Sequence, residues 1–132
     1  MSEKQIKPLT TVLSAAVATG AGSVLDVRDY QIVSIQYSAE GTANSTTKFQ
    51  GSLSEEAPTF SSAQTSANHW DYVEVVDLED GTAIDGDTGI VVTSDDFRNL
   101  AINVDQLNWI TANVTARSGG SVTVKLTATT EE

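Results

Sequence analysis

The chain has 132 residues, 39% of them hydrophobic, which is enough for one domain with its own core. Eighteen Asp and Glu against seven Lys and Arg give a formal net charge of −11. That balance argues against direct nucleic-acid binding, which needs a basic patch, and the lack of cysteine excludes disulfides, thiol catalysis and cysteine-ligated zinc.

Residues 1–7 read as a polar, mobile arm, and the folded domain is expected over residues 8–130. The arm carries Lys4 and Lys7, a charge character opposite to that of the acidic body. The run from Leu9 to Ala18 is similar in length to a signal-peptide core. Glu3 in the would-be basic region and Thr10, Thr11 and Ser14 inside the run argue against that reading, so a soluble, unprocessed chain is expected. The run is also too short to span a bilayer, and no membrane role is expected.

Residues 8–17 read as an extended opening strand, 19–22 as a glycine turn and 23–27 as a short strand. Residues 30–38 carry apolar side chains on both faces, which predicts a central strand covered on both sides. A turn at 41–44 leads to a strand over 46–53 anchored by Phe49. The Ser-, Glu- and Pro-rich segment 55–67 has no sustained period and reads as a long loop, of the kind that often carries function. A strand over 70–78, an acidic glycine loop over 79–89 and short strands at 90–93 and 99–104 follow.

The last segment alternates most clearly. Ile110, Ala112, Val114 and Ala116 share one face, and Val122, Val124, Leu126 and Ala128 repeat the pattern. Paired residues must lie on the same face, so a three-residue loop of Ser118, Gly119 and Gly120 would oppose Ala116 to Val122. Gly120 would take the left-handed position at its end. The expected fold is a single antiparallel β-sandwich, jelly-roll-like, with about eight to nine strands and a closing C-terminal hairpin.

Candidate chemistry is sparse. Between Lys48 and Arg98 there is no basic residue, which suits a self-repelling surface or a face for a basic partner. Asp77, Asp80, Asp85 and Asp87 lie in the densest acidic stretch and offer a calcium loop. They lack EF-hand spacing, so ordinary Asp and Gly turn chemistry is the stronger reading. His69 is the single histidine, with no nucleophile motif beside it, and no enzymatic activity and no cofactor are expected. Asn44 and Asn113 begin glycosylation triplets, read as chance matches. Trp109 falls on the polar side of the hairpin, covered by a loop, anchoring a subunit contact or stacking on a sugar. Trp70, Asn113 and Arg117 join it as interface candidates, with Lys4 and Lys7.

Three pieces carry a resemblance to a known group: residues 18–30, with Gly20, Gly22 and Asp26; Phe49-Gln-Gly-Ser52; and the segment from Leu107 through Arg117-Ser-Gly-Gly-Ser-Val-Thr-Val124. In this order they resemble small β-sandwich virion proteins of tailed bacteriophages, over about residues 9–129. The group often has a Gly-Trp element soon after Gly-Ser, whereas here Trp70 follows only after the 55–67 loop. The resemblance implies a capsid decoration or minor capsid protein in the virion. Its partners would be the major capsid protein, other virion proteins or further copies of itself. A receptor- or carbohydrate-binding module of a tail or baseplate is the second expectation, and a calcium-dependent adhesive domain the third.

Overall fold

The computed structural model describes residues 6–130 and is all-β, with no helix among the described residues. In chain order the strands are β1 (Ile6–Ala16), β2 (Gly20–Ala21), β3 (Leu25–Asp26), β4 (Ile32–Ser52) and β5 (Asp71–Tyr72). Then come β6 (Val75–Asp77), β7 (Ala83–Ile84), β8 (Ile90–Val92), β9 (Asp96–Asn103) and β10 (Trp109–Thr129). All pairings are antiparallel, in the order β1-β10-β4-β9-β6-β7, with β2 and β3 also on β10 and β5 and β8 also on β4. The sheet does not close on itself.

The centre is a ribbon of two 21-residue strands, β4 and β10, paired from Trp109 opposite Ser52 to Thr129 opposite Ile32. A straight strand of that length would reach about 70 Å. A globule of this size has a radius of gyration of about 14 Å, so the ribbon must bend. It bends where residues 41–43 of β4 face Gly120 alone on β10. Gly41 and Gly120 have φ of 85° and 74°, and Thr42, a β-branched residue, is held at 61°. A Cβ on Gly120 would lie 2.5 Å from the Glu40 carbonyl oxygen and 2.8 Å from the Ala43 Cα, so only glycine fits.

This bend replaces the expected closing hairpin. Gly120 is left-handed as predicted, yet the chain runs straight on: Ala116 pairs with Thr46 and Val122 with Ala39, not with each other. The turn expected at 41–44 is the other side of the same bend. An extra residue at Thr115 shifts the register, so Ala116 points outward and is exposed, unlike Ile110, Ala112 and Val114.

Bending one ribbon generates two layers. The first half of β4 and the second half of β10 take β1 and β9 on their flanks; the other halves take β2, β3, β5 and β8. Inner faces from both layers form one core, with Val33, Ile35, Tyr37, Val124 and Leu126 against Phe49, Ile90, Ile110, Ala112 and Val114. The arrangement is sandwich-like. Residues 32–39 are central but covered on one side only: Val33, Ile35 and Tyr37 are buried while Gln36 is exposed. The strand expected over 70–78 divides, because β5 joins one layer and β6 the other. The opening strand starts at Ile6, so Lys7 belongs to β1, opposite Ala128, rather than to an arm. Lys4 lies outside the described residues.

The bend is held from outside by Asp95, whose carboxylate accepts the backbone N–H of Ala43 at 2.9 Å and of Gly41 at 3.2 Å. The Ala43 N–H holds the Asp95 carboxyl below the usual range against the opposing effect of burial, with smaller help from the N–H groups of Gly41 and Thr42. A depressed folded-state pKa stabilises above the unfolded value of about 3.9, and the contribution is lost as pH falls through the folded value. Asp95→Asn should therefore lower the melting temperature at pH 7, and the gap to wild type should narrow below about pH 4. Melting curves between pH 7 and pH 2.5 read this directly; a gap independent of pH would contradict it.

Candidate functional site

Lys7 and Trp109 lie at one end of the sandwich, each linked to Asp26. Trp109 pairs with Asp26 across the β10–β3 ladder, and the Arg28 guanidinium lies over its ring, 4.8 Å from the centroid. Arg28 forms an ion pair with Asp26 and holds that carboxyl below its usual range. The Lys7 ammonium donates to the Asp26 carbonyl at 3.4 Å and sits 5.9 Å from the Tyr30 ring centroid. The Trp109 indole N–H donates to the Ser54 carbonyl at 2.9 Å. Of the three readings of Trp109, cover by a loop and a neighbouring side chain matches the geometry. The ring is half-buried, and its N–H is engaged.

The segment after β4 covers the outer face of the second layer, and this places Trp70 and Asn113. Trp70 is 7% exposed, its indole N–H donates to the Ser62 carbonyl, and it packs edge-on to Tyr72 at 5.1 Å and near Phe60 at 6.3 Å. Gln50 is fully buried; its amide donates to the Phe60 carbonyl at 2.9 Å and accepts from Asn113 Nδ2 at 3.1 Å. Asn68 accepts from the Thr59 N–H and donates back to the Thr59 and Ala63 carbonyls. Trp70 thus fastens the long loop to the sheet directly, and Asn113 supports it through Gln50. Thr111, opposite Gln50, is also buried, donating to the Ser23 carbonyl at 2.8 Å.

Arg117 stands apart at the bend, exposed, its Nε donating to the Gly120 carbonyl at 2.8 Å. The acidic loop does not converge. Asp77, Asp80 and Asp85 each accept a backbone N–H within their own turn, from Glu79, Thr82 and Asp87 in order. Among the described residues no three His, Cys, Asp or Glu are grouped to hold a metal ion. His69 is exposed, and its carbonyl accepts the Ser52 hydroxyl.

A groove that the sequence did not signal lies where β9 begins. β6 ends beside it, the Leu78 N–H reaching the Asn99 carbonyl, and the chain then turns through 79–82 into β7. The resulting hollow of about 580 Å³ is walled by Asp77, Leu78, Glu79 and Asp80 on one side and by Asp96, Phe97, Arg98 and Asn99 on the other. Phe97 is 66% and Leu78 56% exposed, both on the outer face of the first layer. Arg98 bridges Asp96 at 2.7 Å and Asp77 at 3.7 Å, leaving the rim acidic. Alternation could not find Phe97, because the acidic residues before it masked the start of β9.

No protein-family model matches the chain, and no curated protein matches it in sequence. Among solved structures it is similar to the SPBc2 prophage-derived protein YomS, with a TM-score of 0.70 and 14% identity over 98% of this chain and 97% of that one. It is also similar to the PBSX exported protein XepA, with a TM-score of 0.72 and 16% identity over 98% of this chain. There it spans 39% of the longer chain. Both likenesses are of fold.

If Trp70 fastens the loop, its removal should loosen the loop before the sandwich. Trp70→Ala should cost about 3–5 kcal/mol and open residues 55–67 to limited proteolysis, while Trp70→Phe, which loses the N–H bond and part of the ring volume but keeps an aromatic side chain, should cost less, about 1–3 kcal/mol. Denaturant titration with mapping of the first cuts tests this; a loop equally resistant in Trp70→Ala would contradict the assignment.

Proposed function

We propose that this chain is a phage-encoded, non-enzymatic β-sandwich that works by protein–protein contact, as a capsid decoration or minor capsid protein of the particle. One observation carries the reading: the chain matches YomS, a prophage-derived protein, over nearly the full length of both chains. The surface agrees with a contact role. Exposed apolar side chains lie both on strands, as Phe97 and Val91, and in the turns beside them, as Leu78 and Leu53, and its indole and amide groups are engaged in holding its own loops. In this reading the partners are the major capsid protein, other virion proteins and further copies of the chain.

A second reading has one observation in its favour. XepA is described as an exported protein, and this fold makes up 39% of that chain, so the sandwich also serves as a module. A receptor- or carbohydrate-binding module would use it so. The burial of Trp70 and the guanidinium over Trp109 count against a sugar-stacking surface.

Density-gradient purification of particles from the host that encodes the chain, followed by quantitative mass spectrometry, separates the two. The structural reading predicts the protein in the particle band at a fixed ratio to the major capsid protein. Its presence in the cleared lysate alone would overturn that reading and favour the module.

A further inference from the structure

We propose that the groove at the start of β9 receives an extended segment of a partner protein that carries an apolar side chain flanked by lysine or arginine. Three independent features point there. First, Asp96, Phe97 and Arg98 pair with Ala39, Ser38 and Tyr37 on one side, while β6 pairs with β9 only at Leu100 and Ala101, so among the described residues no strand flanks them on the other. An open strand edge of this kind is where an added segment finds backbone partners. Second, Phe97 and Leu78 stand largely exposed on the floor and wall of the same hollow, where an apolar side chain would cover them. Third, the rim carries Asp77, Glu79, Asp80 and Asp96 against the single cation Arg98.

The charges select the occupant. Arg98 is already bound by Asp77 and Asp96, so Glu79 and Asp80 form no salt bridge among the described residues, and the Thr82 N–H keeps the Asp80 carboxyl below its usual range, with a smaller contribution from Arg98. A second copy, itself at −11, would meet like charge, whereas a basic segment would be attracted. The inference rests on the contact reading above and gives it a site and a partner chemistry. Its test needs no particle, so failure here and failure of particle association are distinguishable.

The test is an NMR titration of the ¹⁵N-labelled protein with the acetylated heptapeptide Lys-Leu-Lys-Val-Lys-Leu-Lys, beside Lys-Ser-Lys-Ser-Lys-Ser-Lys. The expected result is shifts confined to residues 77–80 and 96–99 with the apolar peptide, weakened by raising salt from 50 to 500 mM. Phe97→Ser should weaken binding about tenfold or more, and Val91→Ser, at an exposed apolar residue of the other layer, should leave it unchanged. Both positions are on the surface, and circular dichroism and melting temperature confirm that the variants fold. Equal binding of the serine peptide, shifts spread over the acidic surface or full affinity in Phe97→Ser would each overturn the proposal. So would self-association of the free protein that Phe97→Ser abolishes, which would make a second copy the occupant.

Discussion

Two 21-residue strands hydrogen-bonded along their length cannot stay straight inside a domain this small, and the bend they make at Gly120 sets the rest of the architecture. Residues 41–43 bulge against one glycine, Gly120 packs with its Cα region under the Glu40 carbonyl, and Thr42 accepts a left-handed conformation worth about 1–3 kcal/mol of strain. Asp95 offsets that strain by capping the N–H groups that the bulge frees. Because both strands bend together, each half-ribbon becomes the centre of one layer, and the inner faces meet without a separate crossover. The remaining strands are short and attach to the ribbon's flanks.

The same geometry governs where polar groups go. Residues 53–69 cover Gln50 on the outer face of the second layer and Thr111 is buried on the same face, and each is paired: Gln50 with Phe60 and Asn113, Thr111 with Ser23. An unpaired buried amide would cost about 1–3 kcal/mol, which is why the loop's carbonyls and the sheet's side chains are found matched. The uncovered side is the outer face of the first layer, where Ser34, Ser38 and Thr123 are half-buried and Phe97 protrudes. The exposed Phe97 and the loop-fastening groups around Gln50 thus lie on opposite layers of the sandwich.

Much of the fold was legible in the sequence. Alternation assigned the inner faces of both arms of β10, Phe49 as an anchor and the left-handed Gly120, because burial and sterics act on neighbours one or two residues away. The hairpin was not excluded by those signals. A tight loop and a bulge both ask for glycine after alternating residues, and only pairing with β4, about seventy residues earlier, separates them. Ala116 went to the wrong face for the same reason: the extra residue at Thr115 is a property of the ladder, not of the local pattern. The candidate residues fared by distance too. Trp70 and Asn113 read only as interface candidates, and the loop cover of Trp109 stayed one of three readings, because their partners, at Ser62, Gln50 and Ser54, are set by tertiary packing.

The layers, the loop's footing and the open edge of β9 all follow from β4 and β10 forming one bent ribbon. Cross-strand nuclear Overhauser effects test this directly. The ribbon predicts contacts between Val122 and Ala39 and between Ala116 and Thr46, with none between Ala116 and Val122. Strong contacts between Ala116 and Val122, the signature of a closed hairpin, would contradict it.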